Sequence, residues 1–195
     1  TRWRCDWSSD VCSSDLGGVD GSLALELIRK SDLQVVVVEQ DAARVQQIRA
    51  TLDEAGVYGV RASVLEGSLD ERFLGSMLFN LIVSERHFLE GQLPAARGAE
   101  TLRFLVPGGG TVVLGPAGEL GQVQRWLGRA GSRLVRSDNG EARWLVYARP
   151  QLDGAGEWTH QYGNAQNTSC SGDDIVKGED RKSTRLNSRH TSNSY

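Results

Sequence analysis

The chain has 195 residues, of which 39% are hydrophobic and 24% charged, and its formal net charge is −3 at pH 7. That length supports one core of ordinary size plus tails, and the slightly acidic balance disfavours a nucleic-acid partner, whose phosphates need concentrated Lys and Arg. No apolar run reaches the roughly 20 residues of a membrane span, and the N-terminus as given carries no signal-peptide stretch, so the chain reads as soluble.

Residues 1–16, TRWRCDWSSDVCSSDL, show neither strand alternation nor helical period, and their repeated Ser-Ser-Asp is unlike the orderly pattern of residues 17–150. They resemble a translated sequencing-adapter read-through, as do residues 182–195, KSTRLNSRHTSNSY. Cys5, Cys12 and Cys170 are odd in number and lie at no metal-ligand spacing, so no disulfide framework, metal site or redox site is expected.

Between these ends apolar strand-like runs alternate with helical segments, which predicts a Rossmann-like α/β fold with a mostly parallel sheet. Residues 22–30 form a short amphipathic helix, and residues 34–39, with four consecutive valines, form a strand buried on both faces. Asp41 caps a helix running through Val45, Ile48 and Leu52 to Glu54, and Gly56 ends it. Strands come next at 60–65 and 79–84, then a helix at 93–105 closed by Val106-Pro107-Gly108-Gly109-Gly110, and a strand at 111–114. A helix spans 120–130 and stops at Gly131. Residues 133–137 and 143–148 then pair as an antiparallel hairpin through the turn sequence Asp138-Asn139-Gly140. After Pro150 the apolar period disappears.

Gly17, Gly18, Asp20 and Gly21 stand in a turn just ahead of the first helix, where backbone approaches a nucleotide and a helix N-terminus favours negative charge. Glu39 lies at a strand end about twenty residues further on, where an acid can accept both hydroxyls of a ribose. No catalytic residue is visible. His87 is the one nearby group able to act as a base near neutral pH, and its loop-like surroundings, SERHFLE, predict a surface side chain.

In this order GGVDGSLALEL, VVVVEQD, SVLEGSL and FNLIVSE resemble the successive motifs of class I S-adenosylmethionine-dependent methyltransferases. The resemblance implies S-adenosyl-L-methionine as cofactor. Glu39 would hold its ribose, Gln40 would lie near the adenine, Gly67 and Ser68 would stand where the family has a Gly-Asp pair, and Ser84 would flank the methionine portion. It also implies the terminal antiparallel strand and an unspecified small-molecule or protein methyl acceptor.

The largest departure is the first strand, expected to be missing or replaced: DVCSSDL stands where the family has an apolar run. Val11, Cys12 and Leu16 could substitute for it. Ser13, Ser14 and Asp15 would then enter a buried layer, at on the order of 1 to 3 kcal/mol each if unpaired.

The segment EWTHQYGNAQNTSCSGDD resembles the opening of quinoprotein-like (PQQ-like) β-propellers, through Trp158 and Asn167-Thr168. The expected organisation is thus a foreign segment at 1–16, a methyltransferase-like domain at 17–150, a linker or truncated propeller start at 151–181, and a foreign tail at 182–195. Two other functions stay open. One is a non-catalytic Rossmann scaffold fused to a propeller, and the other is an NAD(P)-binding oxidoreductase domain, against which the terminal hairpin argues.

Overall fold

The computed structural model describes residues 12–68, 74–94, 96–115, 120–133, 135–138, 143–156, 165 and 174. The chain divides into two compact units, 1–151 and 152–195. In the second unit the Ala155 amide donates to the Leu152 carbonyl, and the Asp174 amide to the Gly154 carbonyl. Trp158 and Asn167-Thr168, which carry the propeller resemblance, lie outside the described residues.

The first unit is a seven-stranded sheet with helices on both faces. In chain order its elements are β1 (Cys12–Leu16), α1 (Ser22–Lys30), β2 (Gln34–Glu39), α2 (Ala42–Glu54), β3 (Ala62–Glu66) and β4 (Leu81–Val83). Then come α3 (Glu85–Glu90), α4 (Gly98–Leu102), β5 (Thr111–Leu114), α5 (Leu120–Leu127), a 3-10 turn (Gly128–Arg133), β6 (Val135–Asp138) and β7 (Arg143–Ala148). The strand order is β3-β2-β1-β4-β5-β7-β6, parallel from β3 to β5, with β7 antiparallel to both neighbours.

The valine run explains why this sheet has two cores. Side chains alternate across a strand, so Val35 and Val37 pack with Ala24 and Ile28 of α1 and Val45, Ile48 and Leu52 of α2. Val36 and Val38 face the other layer, with Phe79, Ile82, Phe104, Val112, Leu114, Val123 and Leu127. Full burial of one such side chain contributes roughly 1.5 to 3 kcal/mol, so β2 alone anchors both layers.

Several elements differ from the sequence expectation. β3 starts at Ala62, because Val60 turns outward and is 71% exposed. β4 is shorter than expected, and Phe79 instead makes a single parallel bridge with Leu105. The helix expected over 93–105 is cut to α4, whose N-cap, Arg97, is extended backbone preceded by Pro94. α5 ends at Leu127 rather than Ala130, since Gly128 leaves the right-handed helical region and the chain tightens into the 3-10 turn. α3 forms where the sequence pattern predicts loop. Ser84 accepts from the His87 amide as its N-cap and Gly91 closes it, a start and stop fitted to only two turns.

The place of the first strand is filled by Cys12–Leu16, from the stretch set apart by its composition. β1 lies at the centre of the sheet, paired with β2 and β4, so Ser14, Asp15 and Leu16 are covered. Leu16 suits this position. Ser14 and Asp15 are fully buried, and Ser14 Oγ and Asp15 Oδ2 have no hydrogen-bond partner among the described residues.

Burial, followed by the nearby Glu85 carboxylate, pushes the Asp15 carboxyl up from 3.8 to about 8. Between those values the unfolded chain has lost this proton while the folded chain keeps it. Asp15 therefore makes stability fall as pH rises through that window, by up to about 1.4 kcal/mol per pH unit. Urea unfolding of Asp15→Asn should show a variant more stable than the parent at pH 7, with the excess shrinking towards pH 4. A constant difference between the two across that range would show that Asp15 does not titrate in this way.

Candidate functional site

In an open parallel sheet, ligands bind beyond the carboxyl ends of the strands where the strand order reverses. Here β1 lies between β2 and β4, and the turn after β1 meets the start of α3 after β4. That junction is built from polar groups far apart in sequence.

α1 needs a cap, because the first amides of a helix have no partner within it. Its N-cap residue, Gly21, supplies none from a side chain. Glu85 supplies it from across the sheet. Its Oε2 accepts from the amides of Val19 (2.6 Å), Asp20 (3.2 Å) and Gly21 (3.2 Å), and its Oε1 from the Leu23 amide (2.8 Å) and the Ser22 hydroxyl (2.9 Å). Gly18 makes the turn tight enough for this, since a Cβ there would sit 2.7 Å from Ile48 Cδ1 and 2.8 Å from Val37 Cγ1. Asp20 Oδ1 accepts from the Ser22 amide (2.9 Å), and the Ser22 amide and hydroxyl together lower the Asp20 pKa.

The same residues fasten β1 to β4. The Glu85 amide donates to Asp15 Oδ1 (2.8 Å), the Ser84 hydroxyl donates to the Leu16 carbonyl (2.6 Å), and the Arg86 amide donates to the Gly17 carbonyl (3.0 Å). Ser84 is thus a buried tie between strands, and its hydroxyl is turned to Leu16 and His87.

Arg86 runs back across Gly17, where a Cβ would lie 3.4 Å from its own Cβ, and its Nη2 donates to Glu39 Oε2 at 2.5 Å. The other Glu39 oxygen accepts from the amides of Gln40 and Asp41, each at 2.9 Å. Glu39 is 3% exposed. The Asp41 carboxylate, just beyond, accepts from the Ala43 and Arg44 amides and caps α2 as expected.

Gly17, Glu39, Gln40 and Gly67 line one small cleft with Arg86, Pro94 and Ala96. The Gly67 amide donates to the Glu39 carbonyl, which holds the turn after β3 against the end of β2. The cleft is about 30 Å³, room for one or two waters. Gly18, Asp20 and Gly21 do not line it; they surround the Glu85 carboxylate instead. Ser68 follows Gly67 at half-buried backbone, outside the lining of the cleft.

The sequence pattern puts His87 on the surface. It is instead fully buried on α3, with no hydrogen-bond partner at either ring nitrogen among the described residues, and burial lowers its pKa. The capped helix turns this side chain inward, where a loop would have left it in water. Glu85 and Arg86 are site residues that sequence reasoning missed altogether. Ser84 followed by an acid and then by Gly91 was the available signal for a helix start and stop. Among the described residues no group of His, Cys, Asp and Glu is arranged to hold a metal ion, and no helix is long and apolar enough to cross a membrane.

No protein-family model matches the sequence, and no curated protein matches it. Solved structures share its architecture. A candidate S-adenosyl-L-methionine-dependent methyltransferase from Methanococcus maripaludis is similar with a TM-score of 0.61 and 14% identity, over 74% of this chain and 80% of that one. The fold is methyltransferase-like. A predicted O-methyltransferase from Agrobacterium tumefaciens has a TM-score of 0.52 and 19% identity, over 74% and 79% of the two chains. The cyclase SpnF has a TM-score of 0.58 and 13% identity, over 74% and 77%. At these identities the likeness establishes the fold, and the chemistry must be argued from the site.

Five donors on one buried carboxylate make Glu85 the main tie at this junction. Glu85→Gln keeps the shape but turns an NH2 group towards N–H donors. It is expected to lower stability by on the order of 3 kcal/mol, given the strength of charge-assisted bonds. Urea unfolding of the variant measures this, and a loss below about 1 kcal/mol would remove Glu85 from that role.

Proposed function

We propose that residues 17–150 form an S-adenosylmethionine-binding domain of the methyltransferase type, with the nucleoside of the cofactor lying over Gly17 beyond the ends of β1, β2 and β3. The observation that carries this reading is the convergence of Gly17, Glu39, Gln40 and Gly67 on one cleft at the strand-order reversal of a methyltransferase-like sheet. In it Glu39 accepts the ribose hydroxyls, Gln40 stands beside the adenine, and the glycines leave backbone open to close approach. Gly18, Asp20 and Gly21 shape the turn rather than touch the ligand, and Ser84 positions β4.

The backbone frame and Glu39 fit this cofactor once Arg86 has moved. As the side chains stand, Glu39 is paired with Arg86, and the α1 amides are taken by Glu85. When bound, the cofactor supplies a methyl group on a sulfonium sulfur. Alignment of an acceptor with that methyl provides much of the rate without a dedicated acid or base, in keeping with the lack of an evident catalytic group. The acceptor is an unspecified small molecule or protein.

The occupied Glu39 also favours a second reading, a scaffold that keeps the fold without the cofactor. Calorimetric titration separates the two. S-adenosylmethionine should bind the parent chain, NAD should not, and Glu39→Ala should weaken binding at least tenfold, about 1.4 kcal/mol. Absence of binding to the parent would favour the scaffold, and NAD binding alone would favour an oxidoreductase domain.

A further inference from the structure

Among the described residues that line the cleft Arg86 is the one cation, and its backbone anchor there is over-determined. Its backbone amide is fixed to the Gly17 carbonyl, its neighbour Glu85 is locked in the turn before α1, and its stem lies over Gly17. The guanidinium ends on Glu39, the acid assigned to the ribose. The two partners differ in freedom. The Glu39 side chain is 3% exposed and held by two further amides, whereas the Arg86 side chain is 24% exposed. If the ion pair opens, Arg86 is the partner that moves, because it can reach water while Glu39 stays bonded to its own backbone.

We propose that Arg86 is a gate on the nucleoside cleft: its guanidinium occupies the place of the ribose diol on Glu39, and a nucleoside enters only when Arg86 swings out to solvent. The proposal rests on the nucleoside-binding reading of this cleft. The small cleft of about 30 Å³, with Arg86 on Glu39, is the gate's shut state. The shut state lowers apparent affinity by the fraction of molecules in which the pair is open. Salt screens the partly exposed Arg86 guanidinium and weakens its pull on the buried Glu39 modestly, so the open fraction grows with ionic strength.

Adenosine is the suitable probe, because it is uncharged and removing a cation has no direct electrostatic effect on it. Calorimetric titration of adenosine into the parent and into Arg86→Met, which keeps an unbranched stem over Gly17, should show at least tenfold tighter binding by the variant. The parent's affinity should rise with added salt, and that of the variant should stay constant. Thermal melts establish that the variant is folded; if it is not, Arg86→Gln and the salt series on the parent carry the test. Equal affinities and no salt effect would overturn the gate while leaving nucleoside binding intact. Weaker binding by the variant would overturn it by making Arg86 a ligand contact. No binding by either protein, at any salt, would overturn the nucleoside reading itself.

Discussion

The bonds of the Glu85 carboxylate to the turn before α1 organise everything around the candidate site. A helix start without a side-chain cap leaves unpaired donors in a partly buried turn, where each would cost on the order of 1 to 3 kcal/mol. One carboxylate satisfies them together, and the positive end of the α1 dipole favours its charge. Because Glu85 opens α3, that contact also sets where α3 begins. It thereby fixes Arg86 over Gly17, Ser84 against Leu16 and the Glu85 amide on Asp15. The carboxyl edge of the sheet is closed by its own side chains.

This closure stands beside an unusual central strand. Ser14 and Asp15 occupy places that the neighbouring strands fill with valine and isoleucine, and among the described residues both leave a polar atom unpartnered. The two apolar layers built on the alternating valines of β2 offset that cost. Asp15 recovers part of it by accepting the Glu85 amide, and burial keeps its carboxyl protonated near neutrality. Strand and site are thus coupled: what holds β1 in the sheet also holds Glu85 in the turn.

Much of the fold was legible because its signals are local. Four valines in a row, the Asp41 cap and the 22–30 amphipathic period each act over a few residues, and they specify β2, α2 and α1. β6 and β7 pair antiparallel as expected, with Asp138 ending β6 rather than opening a turn, and Asn139 and Gly140 lie outside the described residues. The 93–105 helix fails because a helical apolar period outweighs Pro94 and the extended backbone at Arg97 only on paper. His87 departs from its expected place because SERHFLE is a capped two-turn helix rather than a loop, and such a helix buries the third residue after its cap. In the site, Glu39 was legible from its place at a strand end. Its partner was not, since Arg86 lies 47 residues away and only the pairing of β1 with both β2 and β4 brings the two together.

In the proposed reading Glu39 is a ribose acid masked by the chain's own arginine. A crystal structure of the chain with bound S-adenosylhomocysteine tests it most directly. The ribose hydroxyls should lie on the Glu39 carboxylate, with the Arg86 guanidinium turned to solvent and the Glu85 carboxylate still on the amides of Val19, Gly21 and Leu23. A ligand seated elsewhere, with the Arg86–Glu39 pair intact, would contradict it.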